Sequence, residues 1–342
     1  MLRRSLLSLA FAPLTRNNIA PLEKLLLTAA AQSRPRAAVL LIRERNFNYL
    51  RAFGAAQPDS RFLIASITKP MTAATLLSLG KVDPSQPASR YLPELTGPER
   101  AAITIRQLLT HTSGLPDMLP ENTALRQRHA PLSEFVRLSF TTPLLFAPGT
   151  RYSYSSTGIL LAAVIAERLG GQPLPALMQR QLFQPLNMKH STLGAGSLPL
   201  SAFEPIQVEH APSDLGNSAE TRSWDWNSPY WRNLASPWGG AHSTAADIAA
   251  FLESFFAARL GPGLAPMIQN QNPAPLTPHG LGWSLGPRLG PGLAPTTFGH
   301  GGSTGTLCWA DPTRRRVFVL LTSLPANVSN STVLQPASRL AS

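Results

Sequence analysis

Two short apolar runs near opposite ends of the chain, Ala37–Ile42 and Val317–Leu321, restrict its fold more than any other feature. The first is bounded by Arg and Pro, and the second follows the turn-like Asp311-Pro312-Thr313. An apolar run of about 4–8 residues with such boundaries reads as a strand buried on both faces. Leu22–Ala31 reads as a helix just before the first strand and Ser331–Leu340 as a closing helix after the second. Between these brackets most signals are helical, so the expected class is α/β: one sheet assembled from both chain ends and flanked by helices, with an inserted helical region. Residues 21–69 and 241–342 supply the sheet part and residues 70–240 the mostly helical part. Thr296–Gly299 reads as a poor strand.

Residues 1–20 leave two readings open. Met1-Leu2-Arg3-Arg4 followed by the apolar Ser5–Leu14 has the layout of a secretory signal, which implies a periplasmic or secreted protein. Pro13 spoils the small-x-small site Ala10-Phe11-Ala12, so a short frayed start and a cytoplasmic protein are the alternative. The longest charge-free apolar run of the body, Ile159–Ala166, falls far short of the roughly 20 residues a spanning helix needs, and no membrane span is expected.

The net charge of +12 comes without any basic run interleaved with aromatics, so nucleic-acid binding is not expected. With 33 Pro and 24 Gly in the chain, the Arg excess fits the base composition of the gene as well as it fits attraction to an acidic cell-envelope polymer. The single Cys308 excludes an internal disulfide and multi-cysteine metal centres. His129, His190, His210, His242 and His279 lack ligand spacing, so neither a metal nor a cofactor is expected.

Two serine signatures compete. Gly301-Gly302-Ser303-Thr304-Gly305 matches the G-x-S-x-G nucleophile elbow, but that arrangement requires a histidine after the serine, and the last histidine is His300. The other is Ser-x-x-Lys, present as Ser66-Ile67-Thr68-Lys69 and as Ser78-Leu79-Gly80-Lys81. Pro70 separates the two. It lacks an N–H and is tolerated only in a first helical turn, so a helix through Met71–Leu79 must begin near Ser66, with Lys69 about one turn on. A helix start leaves backbone N–H groups unpaired and favours negative charge, which suits a developing alkoxide or oxyanion. Ser78 instead falls in the last turn, with Gly80 as the stop and Lys81 beyond it. A serine hydroxyl needs a base within reach; lysine serves when burial or a neighbouring charge lowers its pKa.

On these residues the chain resembles the serine β-lactamase and penicillin-binding family, in the branch of D-Ala-D-Ala carboxypeptidases, class C β-lactamases and family VIII esterases. Ser66–Pro70 resembles the S-x-x-K box, Ile105–Leu115 a characteristic family segment, and Pro148–Ser156 the region of the Y-x-N box. Pro185–Met188, Gly239–Asp247 and His300-Gly301-Gly302 follow in order, the last where the family has K-T-G or H-x-G. The resemblance implies an antiparallel sheet with flanking helices forming one catalytic unit. It implies Ser66 as nucleophile, Lys69 as its base and Tyr154 as a second proton-transfer group. It also implies an oxyanion hole from the N–H groups of Ser66 and Ser303, with His300, Gly301 and Gly302 on the substrate's carboxylate side, His300 offering a hydrogen bond or a positive charge.

Ser156 departs from the pattern, because the family usually has an asparagine there that contacts the lysine and the acyl-amide of the substrate. Serine is shorter and has one donor instead of two, so the expectation moves toward an esterase-like enzyme or an amide hydrolase acting on a small molecule. A β-lactamase or D-Ala-D-Ala carboxypeptidase, and a catalytically weak binding protein of the same fold, are the alternatives. Tyr152 is expected to pack rather than react, and His111 to support a helix-to-loop turn. Trp224, Trp226, Tyr230, Trp231 and Trp238 either line a cleft or pack a loop. Ser243 or Thr244 is expected to cap a helix through Phe251.

Overall fold

The computed structural model describes residues 15–212 and 218–342, so the signal-like residues 1–14 lie outside the described part. Among the described residues nine strands form: β1 (Ala37–Glu44), β2 (Phe47–Gly54), β3 (Phe62–Leu63), β4 (Thr192–Leu193), β5 (Ala241–Ser243), β6 (Ser284–Leu285), β7 (Phe298–Gly302), β8 (Thr306–Asp311) and β9 (Arg316–Thr322). The helices that matter here are α1 (Arg16–Ala31), α2 (Thr68–Ser78), α3 (Ile105–Leu109), α4 (Ser156–Gly170), α5 (Ala245–Ser254) and α6 (Gln335–Ala341).

The two apolar runs pair directly. β1 and β9 are antiparallel neighbours with Leu41 opposite Val319, at the centre of a six-stranded sheet ordered β2-β1-β9-β8-β7-β6. Every pairing in this sheet is antiparallel. Alternation sends Val39, Leu41, Val319 and Leu321 to one face, against α5, and Leu40, Ile42, Phe318 and Leu320 to the other. The second face is covered by Ile19, Leu22 and Leu26 of α1 and by Ala337 and Ala341 of α6. Both faces are therefore dry, and each buried aliphatic side chain contributes about 1.5–3 kcal/mol.

Three local expectations are corrected. α1 begins at Arg16 rather than Leu22, because Thr15 and Asn18 form a capping box ahead of it. The closing helix is broken: Ala326–Ser329 passes through a wide turn at Asn330–Leu334 before α6, whose first turn holds Pro336, a residue with no N–H for a regular ladder. The poor strand is a strand from Phe298 onward, since β7 is held between β6 and β8 and tertiary pairing overrides its weak propensity. Its glycines are needed there, because a Cβ on Gly302 would sit 2.5 Å from the Ile64 carbonyl oxygen.

A second, three-stranded sheet in the order β3-β5-β4 leads into the site. The Ile64 N–H donates to the Ala241 carbonyl at 2.9 Å, extending the β3–β5 pairing to the doorstep of Ser66.

Candidate active site

β3 runs into a single tight turn, Ala65–Ile67, and then α2, with Pro70 in its first turn. Ala65 takes a left-handed φ of 45°, an uncommon conformation for alanine, immediately before Ser66. The strain is held by cross-links to the β7–β8 hairpin: Thr304 Oγ1 donates to the Leu63 carbonyl at 2.6 Å and Thr306 Oγ1 to that of Ile64 at 3.1 Å. On the other side, Thr68 Oγ1 accepts from the Ala241 N–H and Thr72 Oγ1 donates to the Pro237 carbonyl.

Lys69 is 1% exposed, and its Nζ donates to Ser66 Oγ and to the Trp238 carbonyl, each at 3.0 Å. Burial lowers its pKa to about 7, with Asp117 pulling weakly the other way. The second Ser-x-x-Lys pair has no such geometry. Ser78 Oγ turns back to the Thr75 carbonyl, and Lys81 Nζ donates to the Leu169 carbonyl.

The Lys69 Nζ also stands 4.7 Å from the centre of the Tyr154 ring. Tyr154 lies in the extended segment entering α4, whose N-cap Ser155 accepts from the Gly158 N–H. Burial raises the Tyr154 pKa far above the ordinary phenol range, and hydrogen bonding to Ser66 offsets only part of this, so the phenol keeps its proton. His111 fixes the segment from both sides. Its carbonyl accepts from the Ser153 N–H at 2.9 Å and its Nδ1 from the Ser155 N–H at 3.1 Å, while its ring packs 4.5 Å from that of Tyr154. Tyr152 points elsewhere, beneath the Arg288 guanidinium at 4.4 Å.

Ser156 is 2% exposed, and both its N–H and its hydroxyl donate to Asp117 Oδ1, at 3.0 and 2.6 Å. Asp117, in the turn Leu115-Pro116-Asp117, was invisible as a site residue in the sequence, because its partner lies 39 positions away. His300 is buried and donates from Nδ1 to the Gly301 carbonyl at 2.6 Å, with its ring 6.0 Å from Tyr154. Burial and the neighbouring Lys69 push its pKa down to about 3, so it is neutral at pH 7 and does not carry the positive charge the resemblance allowed.

A cleft of about 420 Å3 brings together Ser66, Lys69, Tyr154, Ser156, Asp117 and Ser303 beneath a wall of Trp226, Trp231 and Trp238. His300, Gly301 and Gly302 are not among its lining residues; the two glycines border an adjoining depression of about 340 Å3, which shares Ser303. The remaining aromatics pack: Trp224 stacks on Arg126 at 4.7 Å, and Tyr230 lies against His129 and donates to the Ala130 carbonyl. Thr244, not Ser243, caps α5 by accepting from the Asp247 N–H.

Comparison with known proteins gives a consistent neighbourhood. The family model described as Beta-lactamase matches residues 16–341. Esterase EstB of Burkholderia gladioli is 30% identical over 317 residues, covering 80% of this chain and 79% of that protein. Among solved structures, EstCE1, a hydrolase with promiscuous acyltransferase activity, superposes with a TM-score of 0.76 at 20% identity, over 95% of this chain and 99% of its own. The D-amino acid amidase from Ochrobactrum anthropi SV3 superposes with a TM-score of 0.72 at 23% identity, over 95% and 97%.

Proposed function

The chain belongs to the beta-lactamase family and is a serine hydrolase working through an acyl-enzyme, and from that premise we propose that Ser66 is its nucleophile, Lys69 the general base and Tyr154 the proton shuttle. The observation that carries this reading is the 3.0 Å contact between the buried Lys69 Nζ and Ser66 Oγ. A lysine held near neutrality is in part unprotonated at pH 7 and can accept the hydroxyl proton.

Ser66 Oγ attacks the substrate carbonyl carbon while its proton passes to Lys69. The tetrahedral oxyanion is held by the N–H groups of Ser66 and Ser303, both on the wall of the cleft. Collapse breaks the bond to the leaving alkoxide or amine, which takes a proton through the Tyr154 phenol. A water then repeats the attack on the acyl-Ser66 ester, releasing the acid and restoring the hydroxyl. Because its pKa is held so high, Tyr154 acts by passing protons rather than as a resident phenolate.

The substrate is a small ester or unacylated amide. Ser156 spends its hydroxyl on Asp117, which leaves no amide group at this position to grip an acylamido side chain. Esterase EstB and the D-amino acid amidase bear names of the same two classes. Mass spectrometry of the protein labelled by a fluorophosphonate tests the assignment: the adduct is expected on Ser66, lost in Ser66→Ala and kept in Ser78→Ala, and an adduct on Ser303 would overturn it.

A further inference from the structure

The cleft contains one feature that ester hydrolysis does not use. Asp117 is the single acidic side chain among the described residues lining it, and it stands exposed in the cleft that also holds Ser66 and Tyr154. Its position is fixed. The backbone carbonyl accepts from the N–H groups of Ser156 and Thr157 at 3.0 and 3.1 Å, and Oδ1 accepts both donors of Ser156. Oδ2 has no donor among the described residues.

We propose that Asp117 recognises a protonated amine on the acyl part of the substrate, making aminoacyl esters and amides with a free amine the preferred class. This deepens the assignment of Ser66 and rests on it. A carboxylate held in place before substrate arrives loses little freedom on binding, and an ammonium supplies both the opposite charge and three donors. The same carboxylate repels the carbonyl oxygen of an N-acylated substrate, which has only acceptor character at that point. Ser156 completes the arrangement, since its hydroxyl donates to Oδ1 and orients the carboxylate.

A capping role alone would also put Oδ1 on the first turn of α4, where negative charge is favoured. The two roles separate in Asp117→Asn, which keeps an oxygen for Ser156 and removes the charge. The measurement is kcat/KM at pH 7 for phenylalanine methyl ester against N-acetylphenylalanine methyl ester, in both D and L forms. The wild type should prefer the free amine of at least one enantiomer by at least about tenfold, and Asp117→Asn should bring that ratio close to one. No preference in the wild type, or a ratio unchanged in the variant, overturns the proposal.

An experiment on the wild type alone guards against a variant that fails to fold: benzylamine should inhibit hydrolysis of p-nitrophenyl butyrate at least about tenfold more strongly than benzyl alcohol. Equal inhibition also overturns it. Phosphonate labelling run in parallel tells the two failures apart. A wild type not labelled on Ser66 sinks the assignment of the nucleophile and this proposal with it, whereas labelled Ser66 with an unchanged ratio sinks only the role of Asp117.

Discussion

Lys69 Nζ and the backbone carbonyl oxygen of Trp238 are 3.0 Å apart. A neutral amine has two N–H donors and one lone pair, so an N–H given to this carbonyl helps turn the lone pair toward Ser66 Oγ, also 3.0 Å away. The residue that supplies the carbonyl comes from the chain just before β5, so the Lys69 amine is oriented by backbone rather than by another titratable side chain.

The rate should follow the charge of this amine. Since the base must be unprotonated and its pKa is held at about 7, kcat/KM for a neutral ester such as p-nitrophenyl butyrate is expected to rise as pH increases from 5 to 8, with a midpoint near that value. A flat profile over this interval would exclude Lys69 as the base.

Stability should move in the opposite sense in a variant lacking the charge. The folded-state pKa of Lys69 is lowered from 10.5 to about 7, so folding bears the full cost of the buried ammonium below pH 7, progressively less between the two values, and none above pH 10.5. Lys69→Met is therefore expected to raise Tm, by several degrees more at pH 6 than at pH 9. Calorimetry at the two pH values checks the sign, and an equal gain at both would show that the lysine is not neutralised by folding.

Tyr154→Phe should lower kcat by about 10²-fold with the fold intact, the usual scale for loss of a proton-transfer group. Tyr152→Phe, which removes a hydroxyl under Arg288 and outside the cleft, should stay within a few-fold. Steady-state kinetics showing the reverse order would mean that the Tyr-containing box is read two residues out of place.

His111 does not itself line the cleft, yet it packs on Tyr154 and grips the residues on either side of it. His111→Ala leaves the buried Ser155 N–H without its acceptor, at a cost of about 1–3 kcal/mol, and should reduce kcat far more than it raises KM. His111→Asn, whose side-chain oxygen can approximate the place of Nδ1, should recover much of kcat. Equal damage from both variants would reduce His111 to a packing residue.

Ser156→Asn tests the proposed discrimination against acylated amides. An asparagine amide can donate to Asp117 and still face a substrate acylamide, so the kcat/KM ratio of nitrocefin to p-nitrophenyl butyrate is expected to rise by up to about tenfold. The ratio matters because a larger side chain near Lys69 could slow both reactions alike. An unchanged ratio would make Ser156 a neutral variant of its box.

How far the sequence reaches depends on how local the governing physics is. Pro70 constrains its own helix, so the start of α2 and the separation of Ser66 from Ser78 were legible without any tertiary contact. The apolar runs of β1 and β9 were legible because a strand buried on both faces has no polar alternation to disguise it. β7 was not, since Phe298–Gly302 becomes a strand only between two partners and needs its glycines for close approach, not for propensity. Asp117 reads as an ordinary turn residue until the chain returns with Ser156. The tryptophans divide by position alone: Trp226, Trp231 and Trp238 reach the cleft wall, whereas Trp224 packs against Arg126 without lining the cleft, a distinction composition does not carry.

The pairing of β1 with β9 also sets a timetable for the ribosome. β1 and β2 emerge early as a hairpin, but the edge of β1 destined for β9 stays bare until residues 316–322 have been made, on the order of tens of seconds later at ordinary elongation rates. An apolar strand edge exposed for that long is a template for pairing with another nascent chain. The turn holding Ser66 is in the same position, since the hairpin loop that staples it comes from Thr304 and Thr306. A polypeptide cut short before β7 would thus keep Ser66 and lose both the partner of β1 and the hairpin that staples the Ser66 turn, and quality control would meet it as an open sheet.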